Sequence, residues 1–298
     1  MIVSFILWAA GPYHSAQHYH VEVVPYEPTN KIFSVSPKYL SFGVDADQAF
    51  SLLPDRGFPF DSPEVAVMAR ALSPSILRFG GASQDNPQPF YTNRTDTKNT
   101  TQLSFRTVDR LRGFASNVSW DFVFGLNLQD RIPTGNGASR WNAKGSAAFI
   151  THELQGHWEQ STIWALGNEP DLYPKSLAVS PTAQVADCGR LQNLLRNLTN
   201  DKLASNKTHY IVGPDVSNNW PSERPYLETF VKTLAATDPP LELHALTHHH
   251  YYENSATANL SSCFEPSILD SALPKLKLAK KLRDQYLNTT EIWLGEVR

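Results

Sequence analysis

Apolar residues along this chain fall into two alternating kinds of run. Short runs, apolar at consecutive positions, end abruptly in Gly, Pro or an acid. Longer runs repeat apolar residues every three or four positions. The first kind reads as strands buried on both faces, the second as helices with one buried side. Strands are predicted over residues 40–45, 75–81, 122–127, 161–166, 210–215, 243–252 and 291–296. Ser62-Pro63 and Ser180-Pro181 are helix starts, with Ser as N-cap and Pro at the first helical position. The first of these helices runs through Val65, Met68, Ala69 and Leu72, the other through Leu191, Leu194, Leu195 and Leu198. Val108, Leu111, Phe114 and Ala115 mark another, residues 144–158 a further one, and Tyr226, Phe230 and Leu234 the next. Leu269, Leu273, Leu276, Ala279, Leu282 and Tyr286 mark the last. Its Lys275, Lys277, Lys280, Lys281 and Arg283 are read as the solvated face of an outer helix rather than a polyanion patch. Residues 83–103 are polar and read as a surface loop, and two alternating segments near residues 20–24 and 32–35 read as small strands outside the repeat.

Strand followed by helix, seven times over, implies an α/β protein with a parallel sheet built from right-handed crossovers. Neither G-x-G-x-x-G nor a P-loop follows the first strand, which disfavours nucleotide-binding doubly wound folds. The expectation is a (β/α)8 TIM-type barrel, here truncated after strand seven. The domain reading is a candidate signal peptide over residues 1–16, N-terminal strands over 17–36, and an incomplete barrel over 37–298. The signal peptide rests on the apolar run from Ile2 to Ala10 before Gly11-Pro12, which is too short to span a bilayer.

A length of 298 residues suits one such barrel, and 41% hydrophobic with 18% charged residues describes an ordinary globular core. The formal net charge of −3 gives no pull toward nucleic acid or anionic membranes, and a polyanionic substrate would need a local basic patch. Cys188 and Cys263 are the only cysteines, bridged or free, and too few for a metal site. Asn93, Asn99, Asn117, Asn197, Asn206, Asn259 and Asn288 each head a glycosylation sequon, which favours a secreted, extracellular-matrix or lysosomal protein. No integral membrane span is expected, only peripheral membrane or matrix association.

Two strands end alike, in Trp-Ala-Leu-Gly-Asn-Glu169 and Trp-Leu-Gly-Glu296. Pro170 stops the first of them, leaving Asn168 and Glu169 at the C-terminal lip, where barrel enzymes place their catalytic groups. A lone Glu-Pro would read better as a surface loop; the apolar run and Gly-Asn before it favour the catalytic reading. Two facing carboxylates are what glycoside cleavage requires, one protonated to help the leaving oxygen depart and one ionised to attack the anomeric carbon. Asn168 beside the acid can donate to the sugar 2-hydroxyl. His248, His249 and His250 alternate in direction along a strand, so they are read as pocket lining or core rather than metal ligands.

These motifs resemble the heparanases and related β-glucuronidases of glycoside hydrolase family 79, in clan A. The resemblance spans about residues 35–297. It is carried by Val35-Ser36-Pro37-Lys38-Tyr39-Leu40-Ser41, Ala71-Leu72-Ser73-Pro74 with Leu77-Arg78-Phe79-Gly80-Gly81, Phe124-Gly125-Leu126-Asn127, Leu166-Gly167-Asn168-Glu169-Pro170, Gly213-Pro214-Asp215-Val216, His249-His250-Tyr251-Tyr252 and Trp293-Leu294-Gly295-Glu296. The resemblance implies a retaining endo-β-glucuronidase, with Glu169 as acid/base and Glu296 as nucleophile. Its substrate and partner would be heparan sulfate or a related glucuronide-containing polysaccharide, with no cofactor and no metal. Candidate substrate contacts are Asp45, Asp47, Asn168, Asn218, His249 and Tyr251.

The chain departs from the family pattern in four places. A short loop near residues 87–103 stands where heparanases carry an excised linker, so activation by linker removal is not expected. The cations there, Arg94, Lys98 and Arg106, are sparser than the family's basic cluster. Ser217, Asn218, Asn219 and Trp220 replace a Gln and paired arginines, and Ala256 replaces a further one. Since Arg forks grip sulfate best, a less sulfated glycan is expected. Last, the C-terminal β-sandwich and the eighth βα unit are absent after Glu296. An arc of seven strands would leave two unpaired edges and a nucleophile at a fraying end, so this chain by itself is expected to be inactive. The alternatives are a non-catalytic glycan-binding heparanase-like protein and a clan glycosidase acting on another sugar.

Overall fold

Seven strands form one sheet: β1 (Phe42–Asp45), β2 (Ile76–Gly80), β3 (Asp121–Leu126), β4 (Thr162–Leu166), β5 (Tyr210–Val216), β6 (Ala245–His250) and β7 (Glu291–Val297). Their order in space is their order in the chain, and every pairing is parallel. That order is singly wound, which closes toward a barrel; a doubly wound sheet would reverse it. The sheet is a curled half-barrel of the TIM type. The computed structural model describes residues 36–46, 59–85, 91–92, 103–156, 161–200, 210–217, 225–252 and 265–297. The chain divides into two compact units, Met1–Ser36 and Pro37–Arg298, and all but one of the described residues lie in the second. The candidate signal peptide and the N-terminal strands fall outside them.

The connecting helices are α1 (Pro63–Ala71), α2 (Phe105–Asn117), α3 (Ala143–Gly156), α4 (Pro181–Asn200), α5 (Tyr226–Ala235) and α6 (Leu273–Tyr286). Their starts follow local chemistry. The Ser62 hydroxyl accepts from the Val65 N–H at 3.2 Å, and the Ser180 hydroxyl from the Ala183 N–H at 3.2 Å. Ser104 does the same for α2, accepting from Thr107 at 3.1 Å. Each satisfies one of the orphan donors of a helix start.

Period-two alternation along the strands sorts the core. Ile76, Val123, Ile163, Ala165, Val212 and Ala245 form a small apolar cluster of their own, one layer inside the curl. Phe79, Phe122, Phe124, Trp164 and Leu246 join the larger cluster with the helices. Two residues beyond Ile76 on the same face comes Arg78, and two and four beyond Ala245 come Thr247 and His249. The inner layer thus changes from apolar to polar toward the C-terminal ends of the strands. A cleft of about 240 Å³ opens there between β1 and β7, lined by Asp45, Arg78, Gly81 and Glu296 among others.

Four expectations are corrected. Met68 and Leu72 are exposed, and α1 packs through Ala66 and Ala69 instead. The last helix is not continuous, because a one-turn α-helix at Pro266–Leu269 and a 3-10 turn at Asp270–Ala272 precede α6. In α6 Leu273 is exposed, while Lys275 is buried beside Ala279 and Leu282, so this lysine is not on the solvated face. Finally, the sequence reads as a loop containing Gly135 and Gly137 between β3 and α3, and this segment is not a plain loop. Arg131–Gly135 and Ala138–Trp141 pair as an antiparallel hairpin turned by Asn136-Gly137, the dipeptide suited to two positive φ angles.

One buried ion pair anchors the base of β4. Arg112 of α2 donates through Nε to Glu153 Oε1 of α3 at 2.7 Å, their side chains 1% and 0% exposed. The Thr162 hydroxyl at the start of β4 donates to the same oxygen at 3.0 Å, and the Arg112 guanidinium lies 5.1 Å from the centre of the Phe122 ring. Breaking such a pair strands a buried charge, whereas replacing both partners does not. Arg112→Met is therefore expected to cost about 3–5 kcal/mol in urea unfolding, and Arg112→Met with Glu153→Leu to recover most of it. Equal losses in both variants would contradict this account.

Candidate active site

The lip of β4 is shaped by backbone demands. Gly167 has φ +88°, and a Cβ there would stand 2.7 Å from a Leu128 methyl carbon and 3.1 Å from the Tyr173 hydroxyl. Glu169 follows with φ 47° and ψ 53°, in the left-handed region that non-glycine residues seldom adopt. Asp215, at the matching end of β5, has φ 55°. The Glu169 N–H donates to the Asp215 carbonyl at 2.8 Å, so these two strained turns brace one another.

Arg78 of β2 reaches across the half-barrel. Its Nη1 donates to Glu296 Oε1 at 2.7 Å, and its Nη2 donates to Asn168 Oδ1 and Asp215 Oδ2, each at 3.0 Å. A planar guanidinium suits this, since its donors are fixed in direction. Burial works against the charge, and the Asp215 and Glu296 carboxylates outweigh it, holding Arg78 above its ordinary range.

His249 sits between the acids. Its Nδ1 is 3.0 Å from Glu169 Oε1 and 4.0 Å from Glu296 Oε2, and its Nε2 is 3.8 Å from Asp215 Oδ1. Those two glutamate oxygens can be no farther apart than the sum of their distances to the shared nitrogen. That bound is compatible with the spacing of about 5–5.5 Å found in retaining glycosidases. Burial would lower the His249 pKa, but Asp215 and Glu169 outweigh it and hold the imidazole up at about 9, so it is an imidazolium at neutral pH. The Tyr251 hydroxyl donates to Glu296 Oε2. Burial pushes the Glu296 carboxyl up, yet the Arg78 and His249 charges and the bonds from Tyr251 and Arg78 bring it below the usual range. Asp215 is likewise depressed, against its burial, by Arg78 and His249.

The structure thus brings Asn168, Glu169, His249, Tyr251 and Glu296 together. Asp45 lies at the same mouth, accepting from the Ser83 hydroxyl, and a Cβ at Gly81 would stand 2.4 Å from its Oδ2. Asp47, Asn218, Cys263 and the sequon residues Asn93, Asn99, Asn206 and Asn259 fall outside the described residues. Asn117, Asn197 and Asn288 are exposed, and Cys188 is buried. Glu296, expected at a loosely held end, has both oxygens engaged. The three histidines diverge, for His250 Nε2 contacts the Ser271 hydroxyl at 2.9 Å while His249 faces the acids. Among the described residues no three metal-ligating groups converge.

Sequence reasoning gave no role in the site to Arg78, Asp215, Asp85 or Tyr173. Arg78 carried a signal, as the single charge within the apolar run Ile76-Leu77-Arg78-Phe79. Asp215 carried a weaker one, an acid directly after a strand and a proline. Asp85 and Tyr173 lay in polar stretches with nothing to mark them.

No family model matches the chain. Heparanase from Rattus norvegicus is 26% identical over 321 residues, covering 90% of this chain and 56% of that protein. Inactive heparanase-2 from Homo sapiens is 24% identical over 197 residues, covering 65% of this chain and 31% of that protein. Among solved structures, the α-L-arabinofuranosidase from Thermotoga maritima aligns with a TM-score of 0.49 and 12% identity, over 80% of this chain and 49% of that one. The chain is heparanase-like in sequence, and it spans about half the length of the curated relatives it matches.

The imidazolium yields a test by pH. A histidine raised from 6.5 to about 9 on folding contributes stability that is complete below the unfolded pKa and is lost as pH rises through the folded one. The melting temperature is expected to fall by several degrees between pH 7 and pH 9.5, and His249→Gln to flatten that fall. Parallel pH profiles for the two proteins would contradict the assignment.

Proposed function

We propose that this chain carries the catalytic face of a retaining glycoside hydrolase. Its substrates would be β-glucuronide linkages in heparan sulfate or a related, less sulfated glycan. The observation that carries the reading is that Glu169 and Glu296 share one imidazole nitrogen, His249 Nδ1, at 3.0 and 4.0 Å. Glu296 would attack the anomeric carbon, while Glu169 gives a proton to the departing glycosidic oxygen. A covalent glycosyl ester on Glu296 results. Glu169 then takes a proton from water, which attacks the anomeric carbon, breaks its bond to the ester oxygen and frees the Glu296 carboxylate.

The surroundings support these separate roles. Arg78, His249 and Tyr251 favour an ionised Glu296, as a nucleophile needs. Arg78 and His249 bring two positive charges against the carboxylates of Asp215, Glu296 and Glu169. The similarity to heparanases supports the glucuronide, with Asp45, Asn168 and Tyr251 lining the sugar site. It also supports an extracellular or lysosomal setting, as do the exposed sequons. No helix among the described residues is long and apolar enough to cross a membrane.

A second reading, a protein that binds the glycan without cleaving it, is favoured by the similarity to inactive heparanase-2. One assay separates the two. The full-length natural protein is expected to cleave 4-nitrophenyl β-glucuronide, and Glu296→Gln to abolish turnover. Glu169→Gln is expected to lower kcat by about 10²–10⁴-fold, most for poor leaving groups. Binding of heparan sulfate without any turnover would favour the second reading. Equal turnover by both variants would overturn the roles assigned to the two glutamates.

A further inference from the structure

In the polar turn Ala82–Asp85 that follows β2, Ser83 holds Asp45, while the last two side chains run inward and have no part in the chemistry above. Gln84 is fully buried and donates through Nε2 to the Leu126 carbonyl at 3.2 Å. It occupies the space over Gly125, where a Cβ would stand 2.1 Å from its Oε1. Glycine at position 125 thus lets the turn close down on β3.

With Gln84 seated, Asp85 spans the ends of neighbouring strands. Its Oδ1 accepts from the Leu128 N–H, just beyond β3, at 2.7 Å. Its Oδ2 accepts from the Asn168 N–H, just beyond β4, at 2.6 Å, and from the Tyr173 hydroxyl. One carboxylate therefore gathers donors from the loops after β3 and β4 onto the turn after β2. Burial pushes this carboxyl up to about 7 against the pull of those donors. Gly167 belongs to the same arrangement, since a side chain there would crowd the Tyr173 hydroxyl at 3.1 Å.

Asn168 is consequently clamped twice. Asp85 holds its backbone N–H, and Arg78 holds its side-chain oxygen. The next residue is Glu169, in a left-handed conformation that a free chain would leave. Releasing the Asn168 N–H would let the 167–168 peptide turn and carry the Glu169 carboxyl away from His249.

We infer that Asp85 is a positioning residue for Glu169, acting through the backbone N–H of Asn168 and touching no reacting atom. Its kinetic consequence rests on the acid/base reading of Glu169; its structural consequence does not. A misplaced acid weakens the chemical step more than ground-state binding, so the loss should fall on kcat.

Two measurements on the full-length protein test this separately. Hydrogen exchange is followed at residues 167–169 and 126–129 in wild type, Asp85→Ala, Asp85→Asn and Tyr173→Phe. Asp85→Ala is expected to speed exchange at both segments by about tenfold or more, since an unbonded amide loses its protection, while 163–166 stays slow. Asp85→Asn keeps one acceptor oxygen and is expected to free one amide only, and Tyr173→Phe to free neither. On 4-nitrophenyl β-glucuronide, Asp85→Ala is expected to lower kcat by about 100-fold with KM nearly unchanged, and Asp85→Asn to restore part of the loss. Unchanged exchange at residues 167–169 in both Asp85 variants would overturn the inference, as would an unchanged kcat. Should wild type lack turnover while Asp85→Ala frees the amides, the positioning role stands and the glycosidase reading falls.

Discussion

The Arg78 fork is the interaction on which the site depends. A guanidinium that is only 10% exposed must recover the hydration it has lost, and it does so from Asn168, Asp215 and Glu296. Those partners stand at the ends of β4, β5 and β7, so one side chain on β2 takes its bonds from three other strands. The constraint runs both ways. Without Arg78, Asp215 and Glu296 would face His249 as an excess of negative charge. Without the carboxylates, the guanidinium would be a buried cation with no counterion.

This explains why curvature and chemistry go together. Arg78 and Glu296 are 218 residues apart in the chain and meet only because the sheet curls. The inner layer is apolar near the base, through Ile76, Val123, Ile163 and Val212, and becomes charged above it. The apolar floor keeps water from the underside of the ion pairs and strengthens them. Irregularities at the top complete the site: Glu169 and Asp215 both have positive φ. The register of β6 shifts against β5 between Thr247 and His248, and against β7 between His248 and His249. The extra residues lie in the neighbouring strands, Asp215 in β5 and Gly295 in β7, while β6 keeps its alternation and holds His249 on the inner face.

Much of the scaffold was legible in the sequence for a simple reason. Strands buried on both faces are apolar throughout, and Gly or Pro ends them, so the runs ending at Gly80, Leu126 and Leu166 stood out. Ser-Pro marked the starts of α1 and α4 through chemistry confined to three residues. The glutamates were legible because strand, glycine and acid recur at Glu169 and Glu296. What escaped was non-local. Lys275 looked solvated because helical phase shifts when a turn such as Asp270–Ala272 interrupts it. Asp85 looked like part of a polar loop because its role depends on N–H groups 43 and 83 residues away, which no spacing encodes. Arg78 was visible as an anomaly within an apolar strand, but its partners were not. Asp47 and Asn218 remain expectations from resemblance.

The central claim is that Glu296 attacks carbon while Glu169 moves the proton. It is tested most directly by trapping the intermediate. A 2-deoxy-2-fluoro-β-glucuronosyl fluoride slows both steps, yet its good leaving group lets the first proceed. After incubation with the full-length protein and proteolysis, mass spectrometry is predicted to find one glucuronosyl ester, on the peptide containing Glu296. A label on Glu169, or steady turnover of the β-glucuronide with no trapped ester, would contradict the account.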